Sequence, residues 1–217
     1  MFTNCITYDD LPRTLPIFPL EGAMLLPGGL LPLNIFEQKY IKMIDDALAS
    51  HRMIGMIQPN SHTRENTLYS TGCAGRITGF TEMDDNRYTI ILTGLCRFEV
   101  EDELTSITPY RTIQANWGNY KDDLVDDCET IEIDREEFVP LLQRYFILNN
   151  MDCDWDVIQQ TRCETLITTL PMICPFAPEE QQALLEAKTL DNRYNVLTSM
   201  LKIALKANGS NNNTIRH

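Results

Sequence analysis

The chain has 217 residues, 43% of them hydrophobic, and a net charge of −13, which is enough apolar material for one large folded unit or two small ones. That charge argues against a nucleic-acid partner, because phosphate neutralisation needs clustered Lys and Arg. Pro, Glu or Asp interrupts every long apolar stretch, so none reaches the ~20 residues of a membrane-spanning helix and no membrane partner is expected.

In chain order, Leu15-Pro16-Ile17-Phe18-Pro19-Leu20 alternates as a strand does. Its prolines cannot donate into a ladder, which predicts a sheet edge or a late start. Pro27-Gly28-Gly29 marks a turn, and Leu31, Leu33 and Ile35 then alternate with Pro32 and Asn34 in a second short strand. From Phe36 the period lengthens: Phe36, Tyr40, Met43, Ile44, Ala47 and Leu48 predict one helix ending near Ser50. Residues 53–58 read as a buried strand and 59–70 as a polar loop. Residues 75–83 and 87–92 predict a hairpin around Asp84-Asp85-Asn86, with Asn86 suited to the left-handed conformation of such a turn. Residues 96–101 continue the sheet, and 111–117 form its last strand.

Between Lys121 and Glu137 stand nine acids and two bases, which reads as a solvated linker and places a boundary near 118–130. The expected organisation is a β-rich module over 1–118, a helical module over 119–207 and a disordered tail over 208–217. In the helical module, Phe138, Leu141, Leu142 and Tyr145 mark one helix, which Pro140 either kinks or delays to Val139. A second is predicted over 155–173. Pro178 then opens a third, with Glu179 and Glu180 favourable in its first turn. The last, over 191–207, shows two apolar stripes (Leu190, Tyr194, Leu197, Leu201, Leu205 and Val196, Met200, Ile203) and is expected to be covered on two sides.

These segments resemble the amino-terminal, substrate-binding domain of the ATP-dependent Lon proteases, in its short stand-alone bacterial form. The residues that carry the resemblance begin with Leu15-Pro16-Ile17-Phe18-Pro19-Leu20, Leu25-Leu26-Pro27-Gly28 and Leu31-Pro32-Leu33-Asn34-Ile35-Phe36-Glu37, then Tyr40 and Met43. They continue through Gly75-Arg76-Ile77, Gly94, Arg97-Phe98 and Pro109-Tyr110-Arg111 to Pro175-Phe176-Ala177-Pro178-Glu179 and Gln182-Ala183-Leu184-Leu185-Glu186-Ala187. Departures are local: Asn86 stands where the family commonly has Gly, and Pro140 and Pro171 fall where it usually continues a helix. The resemblance implies an α+β fold, a PUA-like bent β-barrel with one packed helix followed by an α-helical bundle. It also implies a protein that binds exposed apolar or extended polypeptide segments, as adaptor or holdase, with a functional link to a Lon protease. The same fold supplies the amino-terminal part of cereblon, which keeps a small-molecule or peptide sensor as the second reading.

The Lon ATPase and Ser/Lys peptidase lie beyond the matched domain. None of the ten glycines precedes a lysine, as a phosphate-cradling loop requires, and no serine has the Gly-Pro-Ser-Ala-Gly context. A thiol nucleophile would need a histidine partner, and His51 and His62 are expected to be solvated surface residues, so no catalytic residue is assigned. The seven cysteines are odd in number and contain no CxxC pair, and the three histidines are isolated. This predicts reduced, mostly buried thiols, no metal and no cofactor. No Lys or Arg precedes Arg13, and Asp9 and Asp10 stand there instead, so a secretory signal is not expected and the expected compartment is cytoplasmic. Pro19, Pro27, Gly28 and Gly75 are read as fixing turns. Glu37, Arg76 and Arg97 lie among apolar neighbours, which predicts a structural ion pair of Glu37 with Arg76 or Arg97.

Overall fold

The computed structural model describes residues 7–60, 67–84, 87–125 and 131–211. The chain divides into two compact units, residues 1–128 and 129–217. The expected turn residue Asn86 and the expected loop residue His62 lie outside the described residues.

The first unit comprises β1 (Thr14–Pro19), β2 (Leu30–Ile35), α1 (Gln38–Leu48), β3 (Met53–Ile57), β4 (Thr71–Met83), β5 (Arg87–Leu104) and β6 (Thr112–Asn116). Its strands run in the order β2-β5-β4-β3-β1-β6, and β6 also pairs with β5. Strands β5, β4, β3, β1 and β6 therefore close into a ring, with β2 added along the outside of β5. One long strand can serve three neighbours because the ladder is interrupted: register shifts fall at Ala74/Gly75, Ile77/Gly79 and Val100/Asp102, and such bulges bend and twist the strand that carries them. Inside the ring Leu15, Ile17, Met53, Ile57, Ala74, Phe98 and Ile113 are buried together, with the Phe98 and Trp117 rings edge to face at 5.8 Å.

β1 is not an edge strand, contrary to what its prolines suggested. Thr14 to Pro16 pair with β6, and Ile17 to Pro19 pair with β3. The Ile17 amide donates to Arg111 O and the Ala115 amide to Arg13 O, so odd-numbered residues turn their backbone groups toward β6 and even-numbered ones toward β3. Pro16 thus faces β3 before that pairing begins, and Pro19 faces β6 after its pairing has ended. Each missing donor falls at the end of a ladder rather than within one.

The first unit also continues past 118, where the helical module was expected to begin. A 3₁₀ segment, Gly118–Leu124, packs on β5. His51 is half-buried rather than a solvated surface residue; its Nδ1 accepts the Met53 amide at 3.1 Å, and burial lowers its pKa.

The second unit comprises α2 (Arg135–Leu148), α3 (Trp155–Gln160), α4 (Cys163–Ile173), α5 (Pro178–Glu186) and α6 (Leu190–Asn211), with α6 packed on α2, α4 and α5. Asp134 caps α2, accepting the Glu136 and Glu137 amides at 3.0 and 3.2 Å, so the helix starts well before Val139 and runs through Pro140. The predicted helix over 155–173 is two helices. Thr161 and Arg162 are extended between them, and the Arg135 guanidinium donates to the carbonyls of Ile158, Gln159 and Thr161, satisfying groups that a helix end would otherwise leave orphaned. α6 is covered along one stripe: Leu197 and Leu201 are fully buried, while Ile203 of the second stripe is exposed. It also extends to Asn211, into the expected tail, since propagation adds one hydrogen bond per residue and no proline stops it.

Of the five described cysteines, Cys73, Cys96 and Cys174 are buried. Burial pushes the Cys96 and Cys174 thiols up to about 12, and burial does the same to Tyr110 and Tyr145. These groups hold their protons more tightly folded than unfolded. Their contribution to stability is therefore intact below the unfolded values of about 8.5 for Cys and about 10 for Tyr, and is lost as pH rises toward about 12. The denaturant midpoint is expected to fall steadily above about pH 9; a midpoint unchanged up to about pH 11 would contradict these burials.

Candidate binding surfaces

Two surfaces of the first unit expose recognition chemistry. The first lies where β2, β5 and β4 run side by side. Register places Pro32 beside Ile91 and Ile91 beside Gly79; Leu30 stands opposite Thr93, and Asn34 opposite Thr89. Alternation puts Leu30, Pro32, Ile91 and Met83 on one face. Leu30 is 64% exposed, and Ile91 and Met83 are exposed as well. The polar groups between them bond to one another: Thr78 Oγ1 lies 2.9 Å from Thr93 Oγ1, and Thr89 Oγ1 donates to Asn34 Oδ1 at 3.0 Å. Phe36, just past β2, is 66% exposed. On the opposite face of the hairpin Phe80 meets Tyr88 edge-on at 4.9 Å, and the Tyr88 hydroxyl donates to Asp45 of α1.

The free edge of β2 is poorly suited to pairing with another strand. Gly94 donates to Gly29 O at 2.9 Å, so odd-numbered residues of β2 face β5 and even-numbered ones face outward. Pro32 falls among the latter and removes the middle donor of that edge. What this region offers a partner is side-chain contact.

The second surface is a cleft of about 270 Å³. Pro19 from the end of β1, Lys39 and Tyr40 from the start of α1, Pro59 and Leu68 from the base of the loop after β3, and Pro109, Tyr110 and Arg111 ahead of β6 line it. Tyr40 packs on Phe18 with ring centroids 4.3 Å apart, and Lys39 Nζ lies 4.6 Å from its centroid. The Tyr110 hydroxyl donates to Asp46 Oδ2 at 2.8 Å, and Arg111 Nε donates to Glu103 Oε1.

The three residues expected to form an ion pair are not brought together. Glu37 is exposed and pairs with Lys39 at 3.0 Å. As the last residue before α1 it turns its carbonyl to the Tyr40 and Ile41 amides, which leaves its side chain outside the sheet. Arg76 is half-buried on β4, with no ion pair seen among the described residues. Arg97 does form a buried pair, with Asp123: Nε to Oδ2 at 2.9 Å and Nη2 to Oδ1 at 2.6 Å, at 4% and 9% side-chain exposure. The same carboxylate accepts the Arg97 amide at 2.9 Å, and the guanidinium lies over the Tyr120 ring at 4.4 Å. Burial by itself would lower the Arg97 pKa; the hydrogen bonds and charge of Asp123 outweigh it, and the pKa is raised. Sequence reasoning missed Asp123 because it stands among look-alike acids.

The chain is similar to known proteins. It is 34% identical over 129 residues to a Lon protease of Anaeromyxobacter dehalogenans, covering 57% of this chain and 15% of that protein. It is 36% identical over 109 residues to Lon protease 2 of Myxococcus xanthus, covering 48% and 13%. The chain thus spans a small fraction of the length of these relatives. Among solved structures, a Lon N-terminal domain protein from Xanthomonas campestris aligns with a TM-score of 0.60 at 19% identity, over 86% of this chain and 97% of that one. The N-terminal domain of Lon protease from the Mycobacterium avium complex aligns at 0.59 and 16%, over 88% and 98%. A model of the ATP-dependent protease La (LON) substrate-binding domain matches residues 14–203, and the chain therefore belongs to that family.

Proposed function

We propose that this chain is a non-catalytic polypeptide-recognition module, acting in the cytoplasm as an adaptor or holdase linked to a Lon protease. The observation that carries the reading is the exposed face of β2, β5 and β4, where Leu30, Met83 and Ile91 stand open to solvent with Phe36 just past β2. Large apolar side chains gathered on one exposed face mark interaction sites. The ring of five strands supports a PUA-like bent barrel for the first unit, and α6 packed among its neighbours supports a helical bundle for the second. The family supplies substrate recognition, and the sequence offers neither a phosphate-binding loop nor a peptidase serine motif. Binding is then the step this chain performs, reversibly and without ATP.

The test is aggregation of an unfolded client. A several-fold excess of the chain is expected to slow aggregation without ATP, through contacts of roughly micromolar affinity, about 8 kcal/mol. Apolar contact is not screened, so protection is expected to persist at high salt. An unchanged aggregation rate, or protection lost at modest salt, would overturn the reading.

A further inference from the structure

The second cleft differs in chemistry from the apolar sheet face. Its volume, about 270 Å³, falls just below the roughly 300–1,000 Å³ of pockets that enclose a whole small ligand. It suits one or two side chains of a longer molecule. Three of its eight described lining residues are prolines, which have no backbone N–H to offer. Two tyrosine rings complete it, and both are held in place. Tyr40 is backed by Phe18; Tyr110 spends its hydroxyl on Asp46, leaving its ring as the part available to the cleft.

The charge of the lining runs against that of the chain. The sequence carries 31 acids and 18 bases, yet the described lining residues include two cations, Lys39 and Arg111, and no acid. Glu37 and Glu103 bond to these cations from outside the lining. The Lys39 side chain remains 44% exposed, and an ammonium has three donors, so it can meet a further carboxylate from a ligand. Its Nζ lies over the Tyr40 ring, 4.6 Å from the centroid, within reach of a carboxylate brought into the cleft.

We propose that this cleft is an anchor site for an extended, acidic polypeptide segment, holding one proline or aromatic ring against Tyr110 and the edge of Tyr40 and a neighbouring carboxylate at Lys39. It rests on the reading of the chain as a polypeptide-recognition module and gives that module a sequence preference the apolar face does not supply. Long-range repulsion by the negative chain does not prevent the contact, because exposed charges are screened beyond about 8 Å at physiological ionic strength.

The experiment uses the full chain and two dye-labelled, end-blocked peptides that share a Pro-Tyr pair and differ only in flanking Asp or Asn, with binding read by fluorescence anisotropy. The Asp peptide is expected to bind up to about fivefold more tightly, and Lys39→Gln to bring it to the level of the Asn peptide. Tyr40→Ala is expected to weaken both by about tenfold. Lys39 is exposed, so its replacement leaves folding intact and keeps the test decisive if Tyr40→Ala fails to fold. Equal affinities for the two peptides, or an unchanged preference in Lys39→Gln, would overturn the proposal. If neither peptide binds while an unfolded client is still captured, the anchor site is wrong and the recognition module stands; if the client is not captured either, both fall.

Discussion

Asp123→Ala is expected to destabilise the chain by about 3–5 kcal/mol, because it leaves the Arg97 guanidinium charged and buried without its counter-ion. Arg97 is 4% exposed and gives Asp123 two side-chain hydrogen bonds and its backbone amide. The attraction of the pair offsets two desolvations; removing one partner keeps the desolvation of the other and discards the attraction. Replacing both, as Arg97→Met with Asp123→Leu, removes both charges together. The double variant is expected to lose less, about 1–3 kcal/mol, since the Arg97 amide is still left without its acceptor. Denaturant midpoints of the three proteins decide this. A single variant no worse than the double would show that the pair is solvated. Asp123 also ties the 3₁₀ segment Gly118–Leu124 to β5, so mild proteolysis of Asp123→Ala is expected to cut that segment sooner than in the wild type.

Gly94→Ala is expected to cost about 3 kcal/mol or more, a loss of the overpacking kind. A methyl group at Gly94 would sit 2.0 Å from the backbone oxygen of Leu26 and 2.8 Å from its carbonyl carbon. Neither atom is the end of a flexible side chain. The obstructing segment is itself bound to this position: Gly94 donates to Gly29 O, and Gly28 donates to Gly94 O. Relief therefore requires the lead into β2 to leave β5, with loss of those bonds and of the Leu25 and Leu26 burial. Gly118→Ala is the control. Its methyl group meets only the Asn116 side-chain oxygen at 3.1 Å, and the expected change is below about 1 kcal/mol. Similar midpoints for the two variants would contradict the close approach of the chain at Gly94.

What the sequence made legible was periodic or motif-bearing. The change of period at Phe36, the hairpin strands and the helix opened by Pro178 could be placed because alternation and first-turn chemistry are local properties. The motif residues identified the family because so many occur in order. What stayed hidden depended on partners distant in the chain. β1 looked like an edge because a proline shows that a donor is missing and says nothing about which side its neighbour stands on. Thr161 and Arg162 interrupt a helical pattern without Gly or Pro; the reason is Arg135, 26 residues before Thr161, taking the carbonyls of the first helix's last turn. The acidic run looked uniform, yet its members do different work: Asp123 pairs with Arg97, Asp134 caps α2, and Glu137 pairs with Lys202 at 2.8 Å. Spacing cannot separate such acids, since only tertiary contact tells them apart. The binding surfaces were no more legible. Tyr40 and the Pro109-Tyr110-Arg111 motif stood out singly, with nothing to show that they line one cleft.

Capture of an unfolded client by the β2, β5 and β4 surface is tested most directly by removing the apolar side chains while keeping the strands. Leu30 and Ile91 are exposed, and threonine preserves strand preference at both positions. The measurement is the binding of a fluorescently labelled unfolded client to the wild type and to a Leu30→Thr, Ile91→Thr double variant whose denaturant midpoint matches the wild type. Recognition through this face requires that binding fall about tenfold or more, since two exposed apolar side chains are removed from the contact. Undiminished binding by the folded double variant would contradict it.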